Sequence, residues 1–227
     1  MDSEHLVIFD CDGVLVDSEP LYVRVDTEMI IKMGWAITED EVIERFQGTS
    51  HAFMMDTIEQ RLGREARLEW EPRMQERRRE IFERELQPVE GIGAALDQLD
   101  LTTCVASSST HEFIELVLRI TGLFDRFEGR IFSAEEVPNA KPAPDVFLHA
   151  ATSMRFEPSR CIVVEDSVHG VEAGRAAEMT VLGYDPDGTK GLDGPNTTVF
   201  DSMTALPELV RGAQTPDIRH QTSESPG

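Results

Sequence analysis

Two aspartates, Asp10 and Asp12, close a short apolar run, Leu6-Val7-Ile8-Phe9. Along an extended segment, two residues return a side chain to the same side. The pair can therefore face one bound group. Alone, an Asp-x-Asp is most often a surface turn. Two further apolar runs end in the same way. Thr103-Cys104-Val105-Ala106 leads into Ser107 and Ser108, and Cys161-Ile162-Val163-Val164 leads into Glu165 and Asp166. In an open parallel sheet the carboxyl ends of the strands share one crevice, so these residues converge if the runs are neighbouring strands. Four carboxylates in one crevice repel each other unless a cation lies among them. An oxygen-only donor set without His or Cys favours a hard ion, and Mg²⁺ is the natural choice. Lys141, in the loop Ala140-Lys141-Pro142, can balance the charge of a bound phosphate.

The elements that must position these residues follow from periodicity. Residues 20–86 carry helical spacing and many charges. Leu21, Val25, Met29 and Met33 share one helical face, Val42, Ile43 and Phe46 continue the pattern, and Phe53, Met54, Ile58 and Leu62 form another face. Gly34 and Thr38 punctuate the helix starts. A long, heavily charged helix is expected from Arg64 to Leu86. Pro88 then marks a return to a different pattern. Helices are expected at 92–99, 112–121, 145–154 and 168–178, alternating with strands at 103–106, 130–132, 161–164 and 180–183. That alternation is the signature of a doubly wound parallel sheet. Gly170 and Gly174 are expected to allow close helix packing.

Composition bounds the rest. The 227 residues contain 40% hydrophobic and 28% charged residues, ordinary for a globular chain. No apolar run approaches the roughly 18 residues that span a bilayer. The acidic start shows no signal peptide, so a cytoplasmic protein is expected. A net charge of −22 argues against nucleic-acid or membrane-surface partners. Cys11, Cys104 and Cys161 are an odd, widely spaced set, expected to be buried, reduced thiols.

Four linked motifs carry a resemblance: Phe9-Asp10-Cys11-Asp12-Gly13-Val14-Leu15-Val16-Asp17-Ser18-Glu19, Val105-Ala106-Ser107-Ser108-Ser109, Ala140-Lys141-Pro142-Ala143-Pro144-Asp145 and Val163-Val164-Glu165-Asp166-Ser167. Together they resemble the haloacid dehalogenase superfamily of phosphohydrolases, in the subgroup similar to phosphoglycolate phosphatase and beta-phosphoglucomutase, with a helical cap inserted after the first motif. The resemblance implies a Rossmann-like α/β core of residues 1–18 and 87–211, an all-helical cap of 19–86 and a polar tail of 212–227. It implies that Asp10 attacks phosphorus to form an aspartyl phosphate, and that Asp12 protonates the leaving oxygen and then takes a proton from water. Ser107, the Ser108 N–H and Lys141 would hold phosphate oxygens. Asp10, Asp12 through its carbonyl, Glu165 and Asp166 would serve the Mg²⁺.

The expected substrate is a small phosphorylated metabolite: a sugar, polyol or glycolate phosphate. Thr49, Ser50 and His51 fall where relatives bring a cap loop to the substrate. Mutases of the resembled subgroup carry an Arg at the position of His51 and a His at that of Tyr22, so hydrolysis is favoured over a sugar-phosphate mutase. Asp12 argues against carbon–halogen cleavage. It also argues against a receiver-like module that stores a phosphoaspartate, since a positioned acid/base hastens loss of the phosphoryl group.

Overall fold

The computed structural model describes residues 5–46, 49 and 51–214, the His51 side chain excepted. Six strands among them, β1 (Leu6–Phe9), β2 (Thr102–Ser107), β3 (Ile131–Ser133), β4 (Cys161–Glu165), β5 (Thr180–Tyr184) and β6 (Thr197–Phe200), form one wholly parallel sheet in the order β3-β2-β1-β4-β5-β6. The expected α/β architecture, a doubly wound sheet with a separate helical region, is present. The chain winds outward from β1 in both directions, so the topological switch lies at the end of β1, where a crevice opens.

β1 is an unbroken apolar run because both of its faces are covered. Val7 and Phe9 pack into one core with helices α5 (Ile92–Asp97), α6 (His111–Ile120), α7 (Phe124–Phe127) and α10 (Leu206–Ala213). Leu6 and Ile8 pack into the other with α8 (Asp145–Met154) and α9 (Val168–Ala176). The 3.6 period and the period of two thus meet on opposite sides of one sheet. Strand β6 and helices α7 and α10 lie outside the sequence expectation, as does the bulk of the structure after Gly183.

Between β1 and α5 lie four helices: α1 (Glu19–Lys32), α2 (Glu39–Phe46), α3 (His51–Leu62) and α4 (Arg64–Glu85). Thr38 and Glu41 exchange side chain-to-backbone hydrogen bonds, 3.0 Å and 3.3 Å, a capping box that starts α2. On α4 the buried residues Met74, Arg78, Ile81 and Phe82 recur at helical spacing and face α1 and α3. One expected face is corrected. Phe53 is exposed, and Met54, Met55 and Ile58 are buried instead, because the inward face of α3 is centred one residue later in the run Phe53-Met54-Met55. Ile43 is likewise exposed beside buried Val42 and Phe46. No helix among the described residues is long and apolar enough to cross a membrane.

Candidate active site

The end of β1 is extended by one residue, since the Asp10 N–H donates to the Val164 carbonyl at 2.9 Å. The chain then turns back on itself. Gly13 N–H donates to Val16 O at 2.8 Å, and Leu15 and Val16 N–H groups both reach Cys11 O. Gly13 has φ +73°, and a Cβ there would overlap the Asp166 carboxylate. Only glycine serves both demands. This loop leaves the Asp10 and Asp12 side chains in one cavity of about 800 Å³, which Ser107, Ser108, Lys141, Glu165 and Asp166 also line. The three strand ends therefore converge.

Lys141 organises the middle of the site. Its buried Nζ donates to Asp10 Oδ1 at 2.5 Å, Glu165 Oε1 at 2.8 Å and Ala106 O at 3.2 Å. Glu165 Oε2 accepts from the Ser167 N–H at 2.7 Å and the Ser167 hydroxyl at 2.9 Å. Glu165 is thus fully engaged and supports Lys141. Gly170 on α9 makes room for it, since a Cβ at that position would overlap the Glu165 carboxylate. Gly174, by contrast, is a packing glycine, with a Cβ position 2.8 Å from Val181.

Asp12 is held by two hydroxyls, Ser18 at 2.7 Å and Ser109 at 3.1 Å. Ser107 Oγ accepts from the Ser109 N–H at 3.1 Å, and the Ser133 hydroxyl donates to Ser109 O at 2.7 Å. The run of three serines after β2 is thereby fixed. Asp166 accepts from Lys190 at 2.5 Å, and Lys190 also reaches Glu19 at 3.3 Å. Buried Asp185 accepts from the Thr189 and Lys190 N–H groups at 3.1 Å and 2.9 Å, holding the loop that delivers Lys190.

The electrostatics follow from burial. Desolvation raises the Asp10 carboxyl to about 7, opposed by Lys141 and reinforced by Glu165. Burial also raises Asp12, against hydrogen bonds from Ser18 and Ser109. Asp166 is pushed well up by burial and then by Glu165, with Lys190 opposing. Burial works against the charge of Lys141, but Asp10 and Glu165 outweigh it and keep the group protonated. Cys11 is driven well above its ordinary value, first by burial and then by Asp12 and Asp10. All three cysteines are buried.

Among the described residues, no group of three or more His, Cys, Asp or Glu side chains is arranged to hold a metal ion. The physical reason is visible: Asp10 and Glu165 turn to Lys141, Asp166 turns to Lys190 and Asp12 turns to two serines. The donor set nonetheless suits a hard divalent cation. Asp10, Asp12, Glu165 and Asp166 line one cavity with Lys141, and the donors they offer are all oxygen. Thr49 lines the cavity. Ser50 and the side chain of His51 lie outside the described residues.

Sequence reasoning passed over Ser109, Lys190 and the buried ion pair between Asp26 and Arg78 that lines the cavity. The chain contains three lysines, Lys32, Lys141 and Lys190. In so arginine-rich a chain, that scarcity was a usable signal for the two that stand among carboxylates.

The model of a family of hydrolases, the haloacid dehalogenase-like hydrolases, matches residues 5–178. A 6-phosphogluconate phosphatase of Escherichia coli is 32% identical over 89% of this chain and 93% of its own length. Hexitol phosphatase B of the same organism is 32% identical over 76% of this chain and 79% of its own. A crystal structure of a haloacid dehalogenase-like protein from Agrobacterium tumefaciens superposes with a TM-score of 0.79 at 31% identity, covering 92% of this chain and 98% of that one. These relatives carry several activities and do not single out the subgroup similar to phosphoglycolate phosphatase and beta-phosphoglucomutase.

Proposed function

The chain belongs to the haloacid dehalogenase-like hydrolases, and from that premise we propose that it is an Mg²⁺-dependent phosphatase that cleaves a small phosphorylated metabolite through an aspartyl phosphate on Asp10. The observation that carries this reading is the aim of Asp12. Its carboxyl is held from both sides by Ser18 and Ser109, two residues from Asp10, in a cavity that also holds Lys141. A nucleophile and a fixed acid/base beside it are what hydrolysis of a phosphomonoester requires.

In the first half-reaction an Asp10 oxygen forms a bond to phosphorus as the bond to the ester oxygen breaks. Asp12, its carboxyl raised by burial, gives its proton to the departing oxygen, and the alcohol leaves. Asp12 is then a carboxylate and takes a proton from the water that attacks the phosphoaspartate. Inorganic phosphate leaves and Asp10 is restored. Ser107, the Ser108 N–H and Lys141 orient the phosphoryl oxygens, and the Lys141 charge stabilises them as the negative charge spreads. Asp10, the Asp12 carbonyl and Asp166 are the groups that would hold Mg²⁺, with Glu165 as their support. When bound, the ion supplies positive charge to the phosphoryl group and the nucleophile.

Tyr22 supports hydrolysis over phosphoryl return to a second hydroxyl. It packs against Phe82 with ring centroids 5.0 Å apart, and burial drives its hydroxyl well above the ordinary value, so it offers no proton carrier at neutral pH. Relatives that act as a 6-phosphogluconate phosphatase and a hexitol phosphatase point to a phosphorylated sugar acid or polyol. A phosphate-release screen across sugar, polyol and glycolate phosphates tests the proposal. Release that depends on Mg²⁺, stops with chelator and falls to background in Asp10→Asn is expected. An active Asp10→Asn protein would sink the nucleophile assignment.

A further inference from the structure

If the phosphate lies at the strand ends, the rest of the substrate lies toward the cap wall of the same cavity. Two arginines line that wall, Arg78 and Arg79, and each is matched by a carboxylate. Buried Arg78 donates to Asp26 Oδ1 from Nη2 at 2.6 Å and from Nε at 3.1 Å. Arg79 meets Glu112 at 2.8 Å, joining α4 to α6. Glu76 adds a further carboxylate to the lining. The Asp26–Arg78 pair is also close to the chemistry. The Arg78 guanidinium lies over the Tyr22 ring, 5.0 Å from its centroid. Tyr22, raised first by burial, is raised further by Asp12 and opposed by Arg78. The pair, Tyr22 and Asp12 all line this one cavity.

We propose that Asp26 sets the charge selectivity of this wall: by neutralising Arg78 it selects a phosphorylated sugar or polyol with a neutral, hydroxyl-bearing tail, and it excludes a tail that ends in a carboxylate or a second phosphate. A hydroxyl both donates and accepts, so it satisfies a carboxylate and a guanidinium that are already paired. An anionic tail must leave water without gaining an unmatched cation, which is unfavourable beside the buried Asp26–Arg78 pair. This inference rests on the phosphatase reading above.

Glucitol 6-phosphate and 6-phosphogluconate test it, because their six-carbon chains differ only at the far end, one a CH₂OH and the other a carboxylate. With the full-length protein and saturating Mg²⁺, kcat/KM is expected to favour glucitol 6-phosphate at least about tenfold. Asp26→Asn removes the carboxylate charge that Arg78 Nη2 and Nε donate to, and should shrink that preference at least about tenfold. Glu112→Gln acts on the exposed rim, where it does not endanger folding, and should shrink it about threefold. A wild-type preference for 6-phosphogluconate overturns the inference and leaves the phosphatase reading standing. A preference unchanged in folded Asp26→Asn, or in Glu112→Gln where Asp26→Asn does not fold, also overturns it. Release of phosphate from neither compound, nor from any other phosphomonoester, overturns both readings together.

Discussion

At the scale of single residues, Lys190 is the informative case. It lies 2.5 Å from Asp166 and 3.3 Å from Glu19, yet its loop, Asp187-Gly188-Thr189-Lys190-Gly191, has neither periodicity nor a motif. The charges explain its presence. Asp166 is buried in one crevice with Asp10 and Glu165, and Lys141 and Lys190 offset their charge. Breaking a fully buried pair costs about 3–5 kcal/mol. The Lys190 side chain is 20% exposed, so the loss is nearer ~1–2 kcal/mol. In chelator, Lys190→Ala should therefore melt a few degrees below the wild type. Excess Mg²⁺ should close most of that gap, because a cation that binds only the folded site stabilises it by mass action and meets less repulsion once the ammonium is gone. Calorimetry of both proteins with and without Mg²⁺ measures the difference. An identical Mg²⁺-induced rise in the two proteins would remove the ion from the neighbourhood of Asp166.

At the scale of elements, two glycines on α9 separate packing from positioning. Gly174 lets α9 approach β5, and Gly170 lets Glu165 reach Lys141 and Ser167. An added methyl at either place crowds a filled interior and costs about 1–3 kcal/mol. Gly174→Ala should lower the melting temperature and leave kcat near the wild-type value. Gly170→Ala should lower both, with kcat down roughly tenfold or more as Lys141 loses its second carboxylate. Equal kcat in the two variants would mean that Glu165 does not position Lys141. Gly170 also marks the limit of what periodicity reveals, since it and Gly174 look alike on a helix and only the sheet distinguishes them. The strands were legible because a sheet covered on both faces demands continuous apolar runs, as in Leu6-Val7-Ile8-Phe9 and Cys161-Ile162-Val163-Val164. β6 was not, because an edge strand with Thr198 and Val199 exposed needs no such run. α7 has four residues, too few to show a period. The acidic strand ends Asp10, Asp12, Glu165 and Asp166 were legible as a group. Ser18 and Ser109 were less so, because a serine's partner is decided by the tertiary fold. The Asp26–Arg78 pair spans 52 residues, and only the packing of α1 on α4 brings its members together.

At the scale of the whole molecule, a net charge of −22 sits awkwardly with an anionic substrate. The local cations Lys141 and Lys190 are largely buried, so salt screens them little. The surface carboxylates act from farther away and through water. The screening length falls from about 30 Å at 0.01 M salt to about 8 Å at 0.15 M, so added salt removes the remote repulsion first. Substrate binding should therefore tighten with ionic strength, the reverse of an electrostatically steered enzyme. At saturating free Mg²⁺ and fixed pH, raising KCl from 10 to 150 mM should lower KM for a phosphomonoester about two- to fivefold while kcat stays within a factor of two. A KM that rises with salt would show that the buried lysines dominate the field at the entrance, and that the acidic surface is turned away from the path of the substrate.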